Sequence, residues 1–201
     1  MNRRAILFGV LFASLLGTAC RRPPASDCSH FLGEHLKRFS DKQVQVLQQE
    51  MALYAQKLPS STLAFDGRGR AFALGSLLSG PTLVFRYPDL SCNACNEPLL
   101  NELKTFYAAH PDCPLMVLAS SHSLRIASSF RRTQRLGIPL FTIPAKDCQG
   151  PLGQDLPPYF FITGPDLQLR LPHIAQKELE GEASAWLERA CQLLQEGGPG
   201  N

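Results

Sequence analysis

Runs of apolar residues alternate with amphipathic stretches along the second half of the chain. Short runs without charge occur at 82–85, 115–119 and 138–143, and they indicate strands buried on both faces. Between them, apolar residues recur every three or four positions at 99–107 and 123–136, which predicts helices. Strands that alternate with helices predict an α/β domain whose sheet has a parallel core.

Two turn motifs predict antiparallel hairpins at either end of this pattern. Glycine and aspartate cluster at 66–70 and again at 164–166, and each cluster separates two short apolar runs. The paired runs are 63–65 with 71–74, and 159–162 with 167–171. The hairpins add antiparallel strands to the parallel core, so the predicted sheet is mixed.

Helices are predicted at both ends of the mature chain. Apolar residues three or four apart predict a helix over 28–57 with a break near Ser40 and Asp41, and a closing helix over 182–194. The N-terminal helix is expected to pack against the domain and to carry no chemistry. The predicted parts are a helical extension over 28–61, a domain over 62–195 and a disordered tail over 196–201.

The first twenty residues have the pattern of an export signal. Arg3 and Arg4 precede an uncharged apolar run over 5–19, and Cys20 follows. The run is short for a permanent membrane span, which needs about 20 apolar residues. The signal predicts delivery outside the cytoplasm, where disulfides persist.

The end of this signal, residues 16–20, resembles that of a bacterial lipoprotein. The resemblance implies removal of 1–19, a lipid on Cys20, a tether over 20–27 and a membrane-bound protein on the periplasmic side. Gly17 stands where such signals usually carry leucine, so ordinary cleavage and a soluble exported protein form the alternative.

Composition and charge narrow the functional classes. The chain has 201 residues, 44% apolar and 18% charged, as expected for a globular domain. Its formal charge is +3, but without Arg3 and Arg4 there are 18 basic against 17 acidic residues. This balance argues against nucleic acid as a partner.

Seven cysteines carry the candidate chemistry: Cys20, Cys28, Cys92, Cys95, Cys113, Cys148 and Cys191. With Cys20 lipidated, the remaining even number suits an oxidising compartment. Cys92 and Cys95 form the one close pair, and the other four cysteines could pair in three ways. A zinc site would need a second Cys/His pair at similar spacing, which the sequence lacks, so no metal is expected.

The Cys92–Cys95 pair lies where a predicted strand gives way to a helix. N–H groups at a helix start stabilise a thiolate at Cys92, and Cys95 lies one turn away, within reach of a disulfide. We therefore expect Cys92 to attack a substrate disulfide and Cys95 to resolve the mixed disulfide. The alternative is a structural disulfide.

The order of these motifs resembles the thioredoxin superfamily over residues 62–195, and most of all its exported, membrane-tethered thiol–disulfide oxidoreductases and redoxins. The matching residues are Phe65-Asp66-Gly67, Leu74, Leu77, Gly80 to Phe85, Cys92 to Cys95, and Pro158 to Ile162. The resemblance implies a thioredoxin-like fold, a central mixed sheet flanked by helices, with no organic cofactor. It also implies protein disulfides or dithiols as substrates and a separate redox partner.

The resemblance also suggests roles for two positions near the cysteine pair. Pro158 matches the family's cis-proline, which lies opposite the cysteines and shapes substrate docking. Pro157 before it has no N–H to give a substrate strand, and it could itself be the cis residue. A plain Pro-Pro turn is the remaining alternative. Arg86, six residues before Cys92, stands where thioredoxins bury an acid, and it would lower the Cys92 pKa if it pointed toward the sulfurs rather than to solvent.

Two other functions fit the same residues. Pro88-x-x-x-Cys92-x-x-Cys95 resembles a peroxiredoxin pattern with cysteine in place of threonine, which would make Cys95 the peroxidatic thiol. Its partner arginine would come from the 123–136 helix, whose arginines we otherwise expect to form a solvated face. Those arginines are Arg125, Arg131, Arg132 and Arg135. In the third reading, the chain is a non-enzymatic binding module stapled by disulfides.

Overall fold

A computed structural model describes residues 25–88, 96–176 and 181–197, with side chains from residue 36 onward apart from Leu124. Its core is one mixed sheet of seven strands flanked by helices, as the sequence predicts. The strands are β1 (Leu63–Phe65), β2 (Ala71–Ala73), β3 (Thr82–Tyr87), β4 (Leu115–Ser121), β5 (Leu140–Pro144), β6 (Tyr159–Thr163) and β7 (Arg170–Ile174). The helices are α1 (Ala25–Leu53), α2 (Leu74–Leu77), α3 (Glu97–Ala109), α4 (Leu124–Gln134) and α5 (Glu182–Gln195).

The sheet has the order β2-β1-β5-β4-β3-β6-β7. Strands β3, β4 and β5 are parallel, and all other neighbouring pairs are antiparallel. The parallel core and the two predicted hairpins are confirmed. Because β3 lies between β4 and β6, every residue from Thr82 to Tyr87 is buried.

Alternate residues of β3 point into two separate cores. Leu83, Phe85 and Tyr87 join the core that α3 and α5 cover. Val84 belongs to the core on the opposite face, which also contains Leu53 at the end of α1. This two-residue period follows from the pleat of a strand, and it also directs Arg86 to the face of Val84.

The tip of the first hairpin is fixed by one carboxylate. The Asp66 carboxylate accepts hydrogen bonds from the backbone N–H groups of Arg68 and Arg70, at 2.8 and 3.0 Å, and from the Arg70 side chain at 2.7 Å. Gly69 has a φ of 78°, a conformation that glycine adopts without strain. The predicted turn therefore forms from local contacts.

The second strand of the second hairpin begins three residues later than predicted. Residues 167–169 were expected in its second strand, but β7 begins at Arg170. Leu167 has a φ of 59°, and the segment exchanges hydrogen bonds with residues 55–58 after α1 instead of with β6. A long-range contact therefore displaces the strand that alternation predicted.

Helix α1 differs from its prediction in two ways. It is continuous from Ala25 to Leu53, so the break expected near Ser40 and Asp41 is wrong. Serine and aspartate are weak helix formers, but each costs well below 1 kcal/mol within a helix, so neighbouring helix formers override them. From Val46 to the end of α1 the expected packing is only partial, because Val46 and Leu53 pack in the core whereas Leu47 and Met51 are exposed.

The chain divides into two compact units after Gln45, within α1. The unit that begins at Val46 contains the whole sheet. Among the described residues, no helix combines the length and the apolar character that a membrane span requires.

We predict that Phe160→Ala destabilises the protein by about 3–5 kcal/mol, as is usual for a buried aromatic side chain. Phe160 on β6 is fully buried and stacks on Phe85 and Trp186, with ring centroids at 4.7 and 5.5 Å. Urea unfolding measures the change. Ile126→Ala is the control, since Ile126 is 39% exposed. Equal losses in the two variants would contradict the predicted role of this core.

Candidate functional site

The Cys92–Cys95 pair belongs to the connection between β3 and α3. Strand β3 ends at Tyr87 and α3 begins at Glu97, with Pro98 in its first turn, where a proline is tolerated. Cys92 and Cys95 lie outside the described residues, as does the proposed lipidation site Cys20. Their predicted roles therefore stay predictions.

The register of β3 and β6 brings Pro158 to the end of the strand that leads to the cysteine pair. Arg86 pairs with Tyr159 in the antiparallel ladder, so the same register sets Pro158 opposite Tyr87, the last residue of β3. Pro158 is buried and its carbonyl accepts a hydrogen bond from the Ala175 N–H, whereas Pro157 is exposed.

The cis-proline expected at Pro158, or alternatively at Pro157, is wrong. No peptide bond among the described residues is cis. Trans is the lower-energy form of an X–Pro bond by about 0.5–1 kcal/mol. Here residues 154–158 lead into β6 with trans bonds.

Arg86 is buried on β3, which excludes the solvent-facing alternative. Its side chain is 2% exposed. Its guanidinium donates to the carbonyl oxygens of Tyr87 at 2.6 Å, Leu118 at 3.3 Å and Leu152 at 2.7 Å, to the Ser120 hydroxyl at 2.5 Å and, in a longer contact, to the Cys148 sulfur. Its Nε has no partner among the described residues. Burial lowers the pKa of Arg86, but an arginine keeps its proton at any pH of interest.

Cys148 lies beside this guanidinium. Its sulfur is 3.8 Å from Arg86 Nη2 and 2.9 Å from the Ser120 hydroxyl oxygen, and it donates a longer hydrogen bond, of 3.6 Å, to the Pro144 carbonyl. The cysteine follows a single 3-10 turn after β5 and is half-buried. We call Arg86, Ser120, Cys148 and Tyr159 the arginine cluster.

The backbone around Cys148 is held by close packing. A Cβ at Gly153 would lie 2.7 Å from the Cys148 carbonyl oxygen, so this approach requires glycine. The carbonyls of Pro151 and Leu152 accept hydrogen bonds from Tyr159 and Arg86. The loop that carries Cys148 is thus tied to β3 and β6.

Tyr159 completes the cluster as a neutral group. Its hydroxyl donates to the Pro151 carbonyl at 2.8 Å, which requires the proton. Burial raises the pKa of Tyr159 to about 12, although the neighbouring Arg86 acts in the opposite direction. No Asp or Glu of the described residues pairs with Arg86. Among the described residues, the ionisable side chains beside this buried cation are the Tyr159 hydroxyl and the Cys148 thiol.

The remaining described cysteines lie on the opposite face of the sheet. Cys113 and Cys191 are buried together in the core under α3 and α5. Burial raises the pKa of the Cys113 thiol, and Cys191 raises it further. Cys113, Cys148 and Cys191 are all free thiols. Pairings that join Cys148 to Cys113 or Cys191 would have to cross the sheet.

The arginines considered for a peroxidatic site are all exposed. Arg125, Arg131, Arg132 and Arg135 lie on or just after α4, while Ala127 and Phe130 of the same helix are buried. This agrees with a solvated helix face. Ile126, expected on the apolar side, is partly exposed instead.

The architecture matches solved structures of one fold. A thiol:disulfide interchange protein from Bacteroides sp. matches with a TM-score of 0.54 at 13% identity, over 74% of this chain and 94% of its own. A thioredoxin-like protein from Porphyromonas gingivalis matches with a TM-score of 0.52 at 16% identity, over 74% of this chain and 97% of its own. A conserved protein from Geobacillus kaustophilus matches with a TM-score of 0.54 at 13% identity, over 73% of this chain and 84% of its own.

The fold is thioredoxin-like. At these identities the similarity establishes the fold alone. No family profile matches the chain, and no curated protein matches it.

Within the thioredoxin-like fold, the sequence analysis did not find the arginine cluster. Arg86 and Cys148 are 62 residues apart, and the fold brings them together. The available signal was a charged residue inside an otherwise apolar strand, Leu83 to Tyr87, because such a charge must find buried partners. The identity of those partners depends on tertiary structure.

We predict that Cys148→Asp is more stable than the isosteric Cys148→Asn by about 1–3 kcal/mol at pH 7, because only aspartate supplies Arg86 with a charge. Arg86 would depress the folded-state pKa of that aspartate below its unfolded value of about 3.9. The advantage is therefore full above the unfolded pKa and is lost as pH falls through the folded one. Urea unfolding at pH 7 and at pH 3 measures it, and equal stabilities at pH 7 would contradict an unpaired cation.

Proposed function

We propose that this protein is an exported thiol–disulfide oxidoreductase that exchanges disulfides with protein substrates through Cys92 and Cys95. The observation that carries the proposal is topological. The only close cysteine pair of the sequence lies in the connection from the central strand β3 to α3, and the β3–β6 register sets Pro158 beside the end of β3.

This placement supports a catalytic rather than a purely structural pair. Side chains in the loop after a buried parallel strand lie at the edge of the sheet, where ligands usually bind in α/β folds. In the proposed reaction, the Cys92 thiolate attacks a substrate disulfide and releases one substrate thiolate. Cys95 then attacks the mixed disulfide, which releases the second substrate thiol and closes the Cys92–Cys95 disulfide.

The similarity to the Bacteroides thiol:disulfide interchange protein supports this reaction by analogy of fold. A protein redox partner would restore the dithiol. The proposal needs no metal or organic cofactor, because the sulfur atoms carry the electrons.

We further propose that Cys20 carries the lipid anchor on the periplasmic side of a bacterial membrane. Support comes from the basic residues Arg3 and Arg4, the apolar run that follows, and the small residue before Cys20. Residues 21–24, which precede α1, then form a tether shorter than the predicted one, and Pro23 and Pro24 favour an extended conformation there.

We predict that Cys95→Ser traps a mixed disulfide between Cys92 and a disulfide-containing protein such as insulin, because the resolving thiol is gone. The variant is made with Cys148→Ser, which removes the half-exposed thiol of the arginine cluster. Peptide mass spectrometry should place the adduct in residues 87–104, where trypsin leaves Cys92 as the one remaining cysteine. Cys92→Ser in the same background is the matched control and should trap nothing.

Two outcomes would contradict this function. A sulfenic acid formed on Cys95 by peroxide in the Cys92→Ser variant, without insulin exchange in the wild type, would indicate the peroxidase. A Cys92–Cys95 reduction potential below about −300 mV would indicate a structural disulfide and hence a binding module.

We predict that Cys20→Ala shifts the expressed protein from the detergent-extracted membrane fraction to the soluble periplasmic fraction, because the lipid attachment site is lost. Immunoblots of fractionated cells and metabolic labelling with a fatty acid measure this. Cys28→Ala is the control and should remain in the membrane. An unlabelled wild-type protein would indicate ordinary signal cleavage.

A further inference from the structure

Two donors surround the sulfur of Cys148 in the arginine cluster. Arg86 has only donor groups, so the Ser120 oxygen accepts its hydrogen bond from Nη2. The single Ser120 proton is then free for the Cys148 sulfur, 2.9 Å away. Arg86 Nη2 itself lies 3.8 Å from the same sulfur. Against these donors stands one long acceptor contact, 3.6 Å to the Pro144 carbonyl. The environment is built for a sulfur that accepts hydrogen bonds.

The buried charge of Arg86 also favours an anionic, hydrogen-bond-accepting sulfur at Cys148. A buried cation is costly unless an anion compensates it. The described groups that touch it are carbonyl oxygens, the Ser120 hydroxyl, the Tyr159 hydroxyl and the Cys148 thiol. Tyr159 uses its proton to bind the Pro151 carbonyl. Cys148 can lose a proton and keep its contacts with Arg86 and Ser120, and it gives up only the long contact to the Pro144 carbonyl.

We expect reagents from solution to reach this thiol. Cys148 is half-buried, and its chain neighbours Asp147 and Gln149 are exposed. Cys113 and Cys191 are buried in the opposite core. Because Cys148 is only partly exposed, we expect small reagents to reach its sulfur more readily than an extended protein segment.

We propose that Cys148 is a second nucleophilic thiol, held as a thiolate by Arg86 and Ser120, and that it reacts with small disulfides by thiol–disulfide exchange. The thiolate attacks one sulfur of the reagent RS–SR. A Cys148 S–SR bond forms, the reagent S–S bond breaks, and RS⁻ leaves to take a proton from water. Cys148 is oxidised, the released thiol is reduced, and the step requires neither Cys92 nor Cys95.

The groups that set the charge of Cys148 come from three elements. Arg86 on β3 and Tyr159 on β6 face it, and Ser120 on β4 is neutral. Lys146 and Asp147 on its own segment are exposed and of opposite sign. Arg86 is therefore the charge that distinguishes this cysteine from a solvent-exposed one.

The first test follows alkylation of the full chain carrying Cys92→Ser and Cys95→Ser, so that failure of the proposed function does not affect it. Trypsin places Cys148 alone in the peptide 147–170 and Cys113 alone in 105–125. Iodoacetamide rates are measured between pH 6.5 and 9. An ordinary thiol slows about 75-fold over this range, whereas a thiolate held by Arg86 should slow less than about fivefold. A 75-fold drop overturns the proposal.

Matched variants assign the effect. Arg86→Lys keeps the charge and should keep most of the reactivity at pH 6.5, whereas Arg86→Gln should restore the steep pH dependence of an ordinary thiol. Equal profiles in the two variants overturn the role of Arg86. Labelling of Cys113 would reveal a Gln variant that fails to fold. In that event two measurements decide whether Cys148 is held as a thiolate. One is the pH profile without a substitution at Arg86, and the other is Ser120→Ala, which should slow alkylation several-fold at pH 6.5.

Oxidised glutathione tests the exchange itself. We expect a glutathione adduct on peptide 147–170 at pH 6.5, removed by dithiothreitol and absent from Cys148→Ser. A Cys148 that is alkylated by iodoacetamide but never accepts glutathione overturns the exchange.

Discussion

One face of the structure depends on a guanidinium that is buried on the central strand. No carboxylate lies beside it in the described part of the chain. Removing a charge from water costs several kcal/mol even after relaxation, so its surroundings must provide oriented acceptors. Arg86 obtains them from the carbonyls of Tyr87, Leu118 and Leu152 and from Ser120. The loop that carries Cys148 is held in place by the same contacts. One charged side chain thus organises strands and loop together.

The position of β3 in the sheet explains why this charge is both buried and near potential chemistry. Parallel pairing with β4 and antiparallel pairing with β6 enclose β3 on both edges. The same pairing brings Pro158 beside the end of β3, from which the chain continues to Cys92. A substitution at Arg86 would therefore disturb the core beneath this edge. Thiol measurements on such variants need a folding control for that reason.

The sequence was informative where local pattern decides the outcome. The alternation of apolar runs with helical patterns predicted the α/β class and the parallel core, and the turn motifs at 66–70 and 164–166 predicted both hairpins. The prediction for residues 167–169 failed because a distant contact intervenes, the pairing with the segment after α1. The predicted break at Ser40 and Asp41 failed because neighbouring helix formers override these two residues. The cis-proline came from resemblance and was wrong. The arginine cluster escaped because its members lie on β3, β4, β6 and the loop after β5.

The sign of the buried charge also bears on the direction of electron flow. An acid near a thiol pair disfavours thiolate, whereas a cation stabilises the thiolate and hence the reduced form of the cysteine it contacts. A disulfide whose reduced form is stabilised is a stronger oxidant. Among the described cysteines, the one in contact with Arg86 is Cys148. A mixed disulfide at Cys148 would therefore be readily reduced, which suits a site that exchanges disulfides in turnover rather than one that holds a permanent crosslink.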